Sequence, residues 1–179
     1  DLRLGSVKSR KDAMFLDNDC KESYIAVMSS SNLLRCRYNG CPFKSVTGAQ
    51  FCGSHLPSGR EYRAELERRV VQGDDLSGAN LAKLYLPGIK LAKSRLAHAD
   101  LSGARLEGAD FTGADLSGAR LRGSDLHDSN FTRLQGSGAR FEGAYLARSR
   151  FDFAQLADSV FAQSDLRQSS FTHASMVAW

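Results

Sequence analysis

From Leu76 to Met176 a large apolar residue stands at every fifth position, with Gly136 the one exception among 21 positions. Thirteen of them are Leu, six are Phe and one is Met. Two residues before each stands a mostly small residue, Ala or Ser, as in Ala99-Asp100-Leu101-Ser102-Gly103. On an α-helix five residues advance the direction by roughly 140°, so these side chains would spiral round the rod and define no buried stripe. In an extended chain residues two apart share a face: Ala99 and Leu101 point inward together, Asp100 and Ser102 outward. Each pentapeptide is therefore one short side of a coil, with Gly at many turning positions, among them Gly103, Gly108 and Gly113.

The number of sides follows from the outward residue just before each central Leu or Phe. If four sides make a coil, residue n lies above n+20, and five of the six charged pairs in this column are opposite in sign, Asp100/Arg120 and Arg105/Asp125 among them. With three sides, n would lie above n+15, and only four of eight pairs are opposite. Opposite charges on neighbouring strands are favoured by about 0.2–1 kcal/mol per pair, so the column points to four. Phe111, Phe131, Phe151 and Phe171 also fall 20 apart, as a stacked aromatic column would.

With Ala99-Asp100-Leu101 and Ala109-Asp110-Phe111 repeated in this register, the chain resembles the pentapeptide-repeat family, whose usual motif is Ala-(Asp/Asn)-Leu-X-X. The resemblance covers residues 74–178. It implies an all-β solenoid, a right-handed four-sided β-helix of about five coils, some 25 Å tall at ~4.8 Å per coil. Two departures stand out. Leu134 fills a position that is normally small while Gly136 empties the large one beside it, a compensating exchange of volume. Leu84 and Ile89 oversize the small column of the first coil, as expected where something covers it.

Ahead of the repeat, Cys36, Cys41, Cys52 and His55 are separated by four, ten and two residues. Three thiolates and one imidazole complete a tetrahedral Zn²⁺ site of the structural kind, with no position left open for a catalytic water. The segment from Cys36-Arg37-Tyr38-Asn39-Gly40-Cys41 to Cys52-Gly53-Ser54-His55 is similar to the small Cys₃His zinc knuckles found beside many phage and bacterial domains, some homing-type nucleases included. That similarity implies a metal site and no activity. Disulfides and unliganded thiols are the alternatives; zinc alone uses His55, leaves Cys20 as a spare thiol and implies a reducing compartment, cytoplasm or organelle matrix.

Between these parts, Ser58 and Glu61 form a capping box and Gly73 is placed to end the helix they start. Tyr62, Leu66 and Val70 recur every four residues as one apolar stripe, suited to covering the open first coil. The expected organisation is an extended arm at 1–35, a zinc knuckle at 36–57, a capping helix at 58–73 and the β-helix at 74–179. The far end of the solenoid is left to Trp179, another copy or a different protein. Tyr145, Phe153 and Val160 occupy outward positions and suggest a sticky lateral patch.

Charge narrows the function. Residues 74–179 carry 12 Lys/Arg and 12 Asp/Glu, whereas residues 1–73 carry 12 against 8 and so hold the whole net charge of +4. No apolar run approaches the ~20 residues of a membrane helix, and a soluble protein is expected. The chain begins with Asp1, which a cleaved targeting peptide would explain, as would a trimmed start. No nucleophile–base set or phosphate loop is visible, and His98, His127 and His173 are outward and scattered. A non-enzymatic scaffold or subunit of a larger protein assembly is the expected role. Nucleic-acid binding through the basic N-terminal part, with Arg35, Arg37 and Lys44, is the alternative. A third reading, the DNA-imitating topoisomerase binding of some family members, fits poorly with a neutral β-helix, because duplex DNA carries a charge every ~1.7 Å.

Overall fold

The structure, a computed structural model, describes residues 59–176. Between Asp75 and Ser175 the backbone makes 17 parallel bridges, and every one joins residue n to residue n+20. The coil therefore has four sides, each a three-residue extended segment. The first side is the ladder through Asp75, Arg95, Asp115, Gln135, Gln155 and Ser175. Asn80, Asp100, Arg120, Arg140 and Val160 mark the second, and Tyr85, Arg105, Asp125, Tyr145 and Asp165 the third. The fourth runs through Lys90, Asp110, Asn130, Arg150 and Ser170.

Extended segments this short cannot form a stable sheet alone, and stacking supplies the missing hydrogen bonds. The Asp100 amide donates to the Ala79 carbonyl at 2.8 Å, and those of Leu101 and Gly103 donate to the Arg120 and Arg122 carbonyls at 2.7 and 2.9 Å. The turn itself closes when the Ala104 amide donates to the Leu101 carbonyl at 3.1 Å. A turn closed across four residues with positive φ at the third is the type II arrangement. Every corner from Gly78 to His173 has that positive φ, nine at Gly and eleven at other residues. From Arg148 onward no corner is Gly: Phe153, Asp158, Gln163, Gln168 and His173 all sit at φ of 57–61°. Stacking over-determines these corners, since each non-Gly residue there costs roughly 1–2 kcal/mol.

The bore is filled by the inward column. Leu81, Leu101, Leu121 and Phe141 are at most 2% exposed. Two Phe columns rise side by side in the later coils. Phe111, Phe131, Phe151 and Phe171 stack at 4.6–5.1 Å, Phe141 and Phe161 at 4.8 Å, and the columns meet edge-on at 5.7–6.0 Å. Stacked and T-shaped pairs each add about 0.5–1.5 kcal/mol beyond area burial. In the small inward column a Ser serves as well as an Ala because its hydroxyl turns back on its own turn. Ser94 and Ser124 Oγ donate to the Leu91 and Leu121 carbonyls at 2.7 and 2.6 Å.

Among the described residues one helix, α1 (Gly59–Gln72), precedes the coils. Its Tyr62 and Leu66 are 1% and 3% exposed and belong to the same apolar cluster as Leu84 and Ile89, with Val70 packed against it. Gly73, at φ 76°, ends the helix. Its amide donates to the Val70 carbonyl and that of Asp74 to the Arg69 carbonyl, both at 3.0 Å, the two bonds of a Schellman motif. Side chains of α1 then satisfy the edge of the first coil. Arg63 donates to the Pro87 carbonyl, the Lys90 amide donates to Glu67 Oε1 at 3.1 Å, and Arg95 reaches down to the Gly73 carbonyl at 2.7 Å. An unpaired strand edge is a template for association, and these bonds close part of it. Among the described residues no helix is long and apolar enough to cross a membrane.

Candidate interaction surface

Because the inward columns fill the bore, chemistry is confined to the outward ones. An Asp or Asn just before the central residue has a structural task there. Its Oδ1 accepts the amide two residues on, which otherwise faces solvent without a partner. Asp75, Asn80, Asp100, Asp110, Asp115, Asn130 and Asp165 all do this, at 2.9–3.3 Å. These seven are Asx turns. Where Ser170 replaces the acid, Asp152 one coil below takes over, accepting from the Thr172 amide at 3.2 Å and from the Ser170 hydroxyl. Much of the outward carboxylate is thus spent on the backbone.

Arginines engage most of the rest. At the corner between the third and fourth sides Arg148 Nε and Nη2 meet Asp128 Oδ1 and Oδ2 at 2.7 and 2.6 Å, a fork bridging two coils. Arg120 reaches Asp100 one coil below at 3.2 Å. Within single sides Arg105 pairs with Glu107, Arg140 with Glu142 and Arg150 with Asp152. The Arg167 guanidinium and backbone amide hold the Asp165 carboxyl down to about 2. The Arg148 fork lowers Asp128 likewise. Burial pushes Glu142 up, but the hydrogen bond from Arg140 and the nearby charge of Arg122 carry it below the ordinary carboxylate range. These pairs are exposed and individually worth little. Their joint effect is to set many outward charges against a neighbour of opposite sign.

Cys36, Cys41, Cys52 and His55, the expected zinc ligands, lie outside the described residues, as do the arm at 1–35 and Trp179. Among the described residues no group of three or more His, Cys, Asp or Glu is placed to hold a metal ion. The three other histidines are separated. His98 leans over the Gly118 corner, His127 Nδ1 bonds Asp125 Oδ1 at 2.7 Å on the third side, and His173 stacks on Phe153 at 5.0 Å. The expected lateral patch is not one patch. Tyr145 belongs to the third side, Val160 to the second, and Phe153 to the corner between the fourth and the first. The reason is the period: positions 145 and 160 differ by 15, three quarters of a coil. The residue that does share a side with Tyr145 is Tyr85, and both are 59% exposed. Their separation of 60 residues, a multiple of 20, was the signal.

Several solved structures are similar to part of this chain. A pentapeptide repeat protein of the Arabidopsis thaliana thylakoid lumen is 29% identical over 54% of this chain, with a TM-score of 0.44. The match covers 64% of that protein, so the chain spans less than two thirds of it. One from Nostoc Pcc 7120 is 24% identical, covers 60% of this chain and 95% of its own, and has a TM-score of 0.46. QnrB1, a plasmid-mediated fluoroquinolone resistance protein, is 18% identical over 57% of this chain and 60% of its own, at a TM-score of 0.25. No curated protein is a significant match to the sequence. The profile of the family described as Pentapeptide repeats matches in eight copies over residues 75–113, 99–146 and 149–177. Those spans take in more than half of the chain, which belongs to the pentapeptide-repeat family, a family of structural, protein-interaction solenoids.

Proposed function

We propose that this chain is a non-enzymatic accessory or scaffold subunit of a larger protein assembly, and that Cys36, Cys41, Cys52 and His55 hold a structural Zn²⁺ in its N-terminal part. What carries the reading is the division of labour along each side. Inward Leu and Phe from Leu76 to Leu156 are 0–2% exposed, so the bore there offers no room for a substrate. The outward columns form firm, flat, polar ladders suited to another protein surface. The donor set of three thiolates and an imidazole fits tetrahedral zinc, and a segment this short gains its fold from the metal. Thiolate ligands fit a reducing compartment. Imitation of DNA is disfavoured because the solenoid carries equal numbers of acidic and basic side chains, and many carboxylates are engaged by backbone amides or by Arg. Nucleic-acid binding through the basic N-terminal part is the second reading, supported by the segregation of charge there.

The test has two arms. Purified full-length chain should carry one equivalent of zinc by elemental analysis, and Cys52→Ser should lose it while the solenoid keeps its circular dichroism. A metal-free wild type removes the zinc assignment. Affinity capture from the native source at high salt should retain stoichiometric protein partners. Partners that vanish with nuclease or moderate salt would favour the nucleic-acid reading, because phosphate contacts weaken steeply with ionic strength.

A further inference from the structure

The third side differs from the other three in its aromatic content. Tyr85 and Tyr145, three coils apart, each leave 59% of their surface exposed. Among the described residues no other ladder carries two exposed large apolar residues: Val160 stands alone on the second. The Arg105 guanidinium lies 4.9 Å from the Tyr85 ring centroid, which fixes that ring before any partner arrives.

The vertical order on this side is Tyr85, Arg105, Asp125, Tyr145. Read upward or downward it complements itself. A second copy turned by 180° about an axis parallel to the strands, midway between the Arg105 and Asp125 levels, places its Asp125 opposite Arg105 and its Arg105 opposite Asp125. In the same step its Tyr145 meets Tyr85 and its Tyr85 meets Tyr145. In the next outward column Glu107 comes opposite the copy's His127, and Pro87 opposite its Ala147. Moving the axis half a coil either way sets Arg105 against Arg105 or Asp125 against Asp125, so charge fixes the register.

We infer that the third side is a self-association surface, on which two copies of this chain pack face to face about that two-fold axis. A two-fold interface requires a patch that is its own complement, and this ladder is one. Tyr at its two ends and a charge pair at its centre suit the aromatic enrichment of interfaces and the use of charge to set register. Four coils of one side bury roughly 900 Å² counting both copies, under the ~1,200 Å² of stable complexes. The dimer is therefore weak and depends on concentration.

Sedimentation velocity on the full-length chain, from low micromolar to near-millimolar, is the test. A monomer–dimer equilibrium is expected, weakened about tenfold or more by Tyr85→Arg or Tyr145→Arg. Arg105→Asp and Asp125→Arg should each weaken it by placing like charges together, and the double variant should restore it to within about threefold of wild type. Gln135→Arg, on the first side, should leave it unchanged. All these positions point outward, and circular dichroism checks that each variant keeps the fold. A chain that stays monomeric throughout, as it would if its own residues before Gly59 covered this side, overturns the proposal. So does a dimer that survives both Tyr substitutions, or a double charge swap no better than its singles. None of these outcomes depends on the zinc content.

Discussion

Leu134 occupies the volume that Gly136 leaves empty. A Cβ on Gly136 would lie 3.0 Å from Leu134 Cδ2 and 3.0 Å from Leu156 Cδ2, and Leu134 itself is fully buried. Truncation by Leu134→Ala therefore opens a cavity that Gly136 enlarges, at a cost of about 2–5 kcal/mol. Gly136→Leu overpacks the same space by about 1–3 kcal/mol. Combining the two restores the ordinary order of small and large residue, and the double variant should be more stable than either single. Urea denaturation of the three proteins decides it; additive losses would mean that the two sites are independent.

The corners allow a test of local strain. Gln163 sits at φ 60°, where Gly would relieve left-handed strain of about 1–2 kcal/mol while giving back part of it in unfolded-chain entropy. Gln163→Gly should raise stability by up to about 1 kcal/mol. In the opposite sense, Gly123→Ala meets nothing within 4 Å and suffers the strain alone, whereas a Cβ on Gly118 would come within 2.5 Å of His98 Nδ1. Gly118→Ala should lose more than Gly123→Ala, and the excess should disappear in a His98→Ala background. Equal losses in the wild-type background would show that His98 moves aside freely.

Acid should unfold the solenoid late. Arg167 depresses Asp165, Arg148 depresses Asp128, and hydrogen bonds from Ser77 depress Asp75. A carboxylate whose folded value lies below its unfolded one stabilises the fold fully above the unfolded value, ~3.9, and loses that contribution as pH falls through the folded one. Melting temperature should hold from neutral pH to about 4 and fall between there and the Asp165 value of about 2. A decline centred near pH 6 would point to histidine instead.

Chelation tests the proposed zinc site. With zinc removed, Cys36, Cys41 and Cys52 should become rapidly alkylable, with Cys20 reacting at the same rate before and after, while the far-ultraviolet signal of the coils persists. Equal reactivity of all four thiols without chelator would dispose of the metal site.

The period of five and the sign alternation at 20 were enough to read the solenoid and its four sides, because both are set by backbone geometry that each side repeats. Leu101, Leu106 and Phe111 have equivalent surroundings one quarter-turn apart, so one residue's role is every other's. The outward surface is legible only after coils are stacked. Tyr145 and Val160 are 15 apart in sequence and look like neighbours, yet stand on different sides, while Tyr85 and Tyr145 share a ladder across 60 residues. The committed role of Asp100 or Asp115 was hidden for another reason. A carboxylate that caps a turn and one that faces a partner look alike in sequence, and only the amide two residues on distinguishes them.

A ladder that always joins n to n+20 makes length and register separate variables in the history of such a chain. Duplicating 20 residues inserts a storey and leaves every column above it aligned with its own kind. Inserting five turns everything above by a quarter, so that Phe151 would rise over a Leu column and Tyr145 would leave the side it shares with Tyr85. Drift by whole storeys is therefore structurally mild, and drift by single repeats scrambles both the aromatic interior and the pattern presented outside.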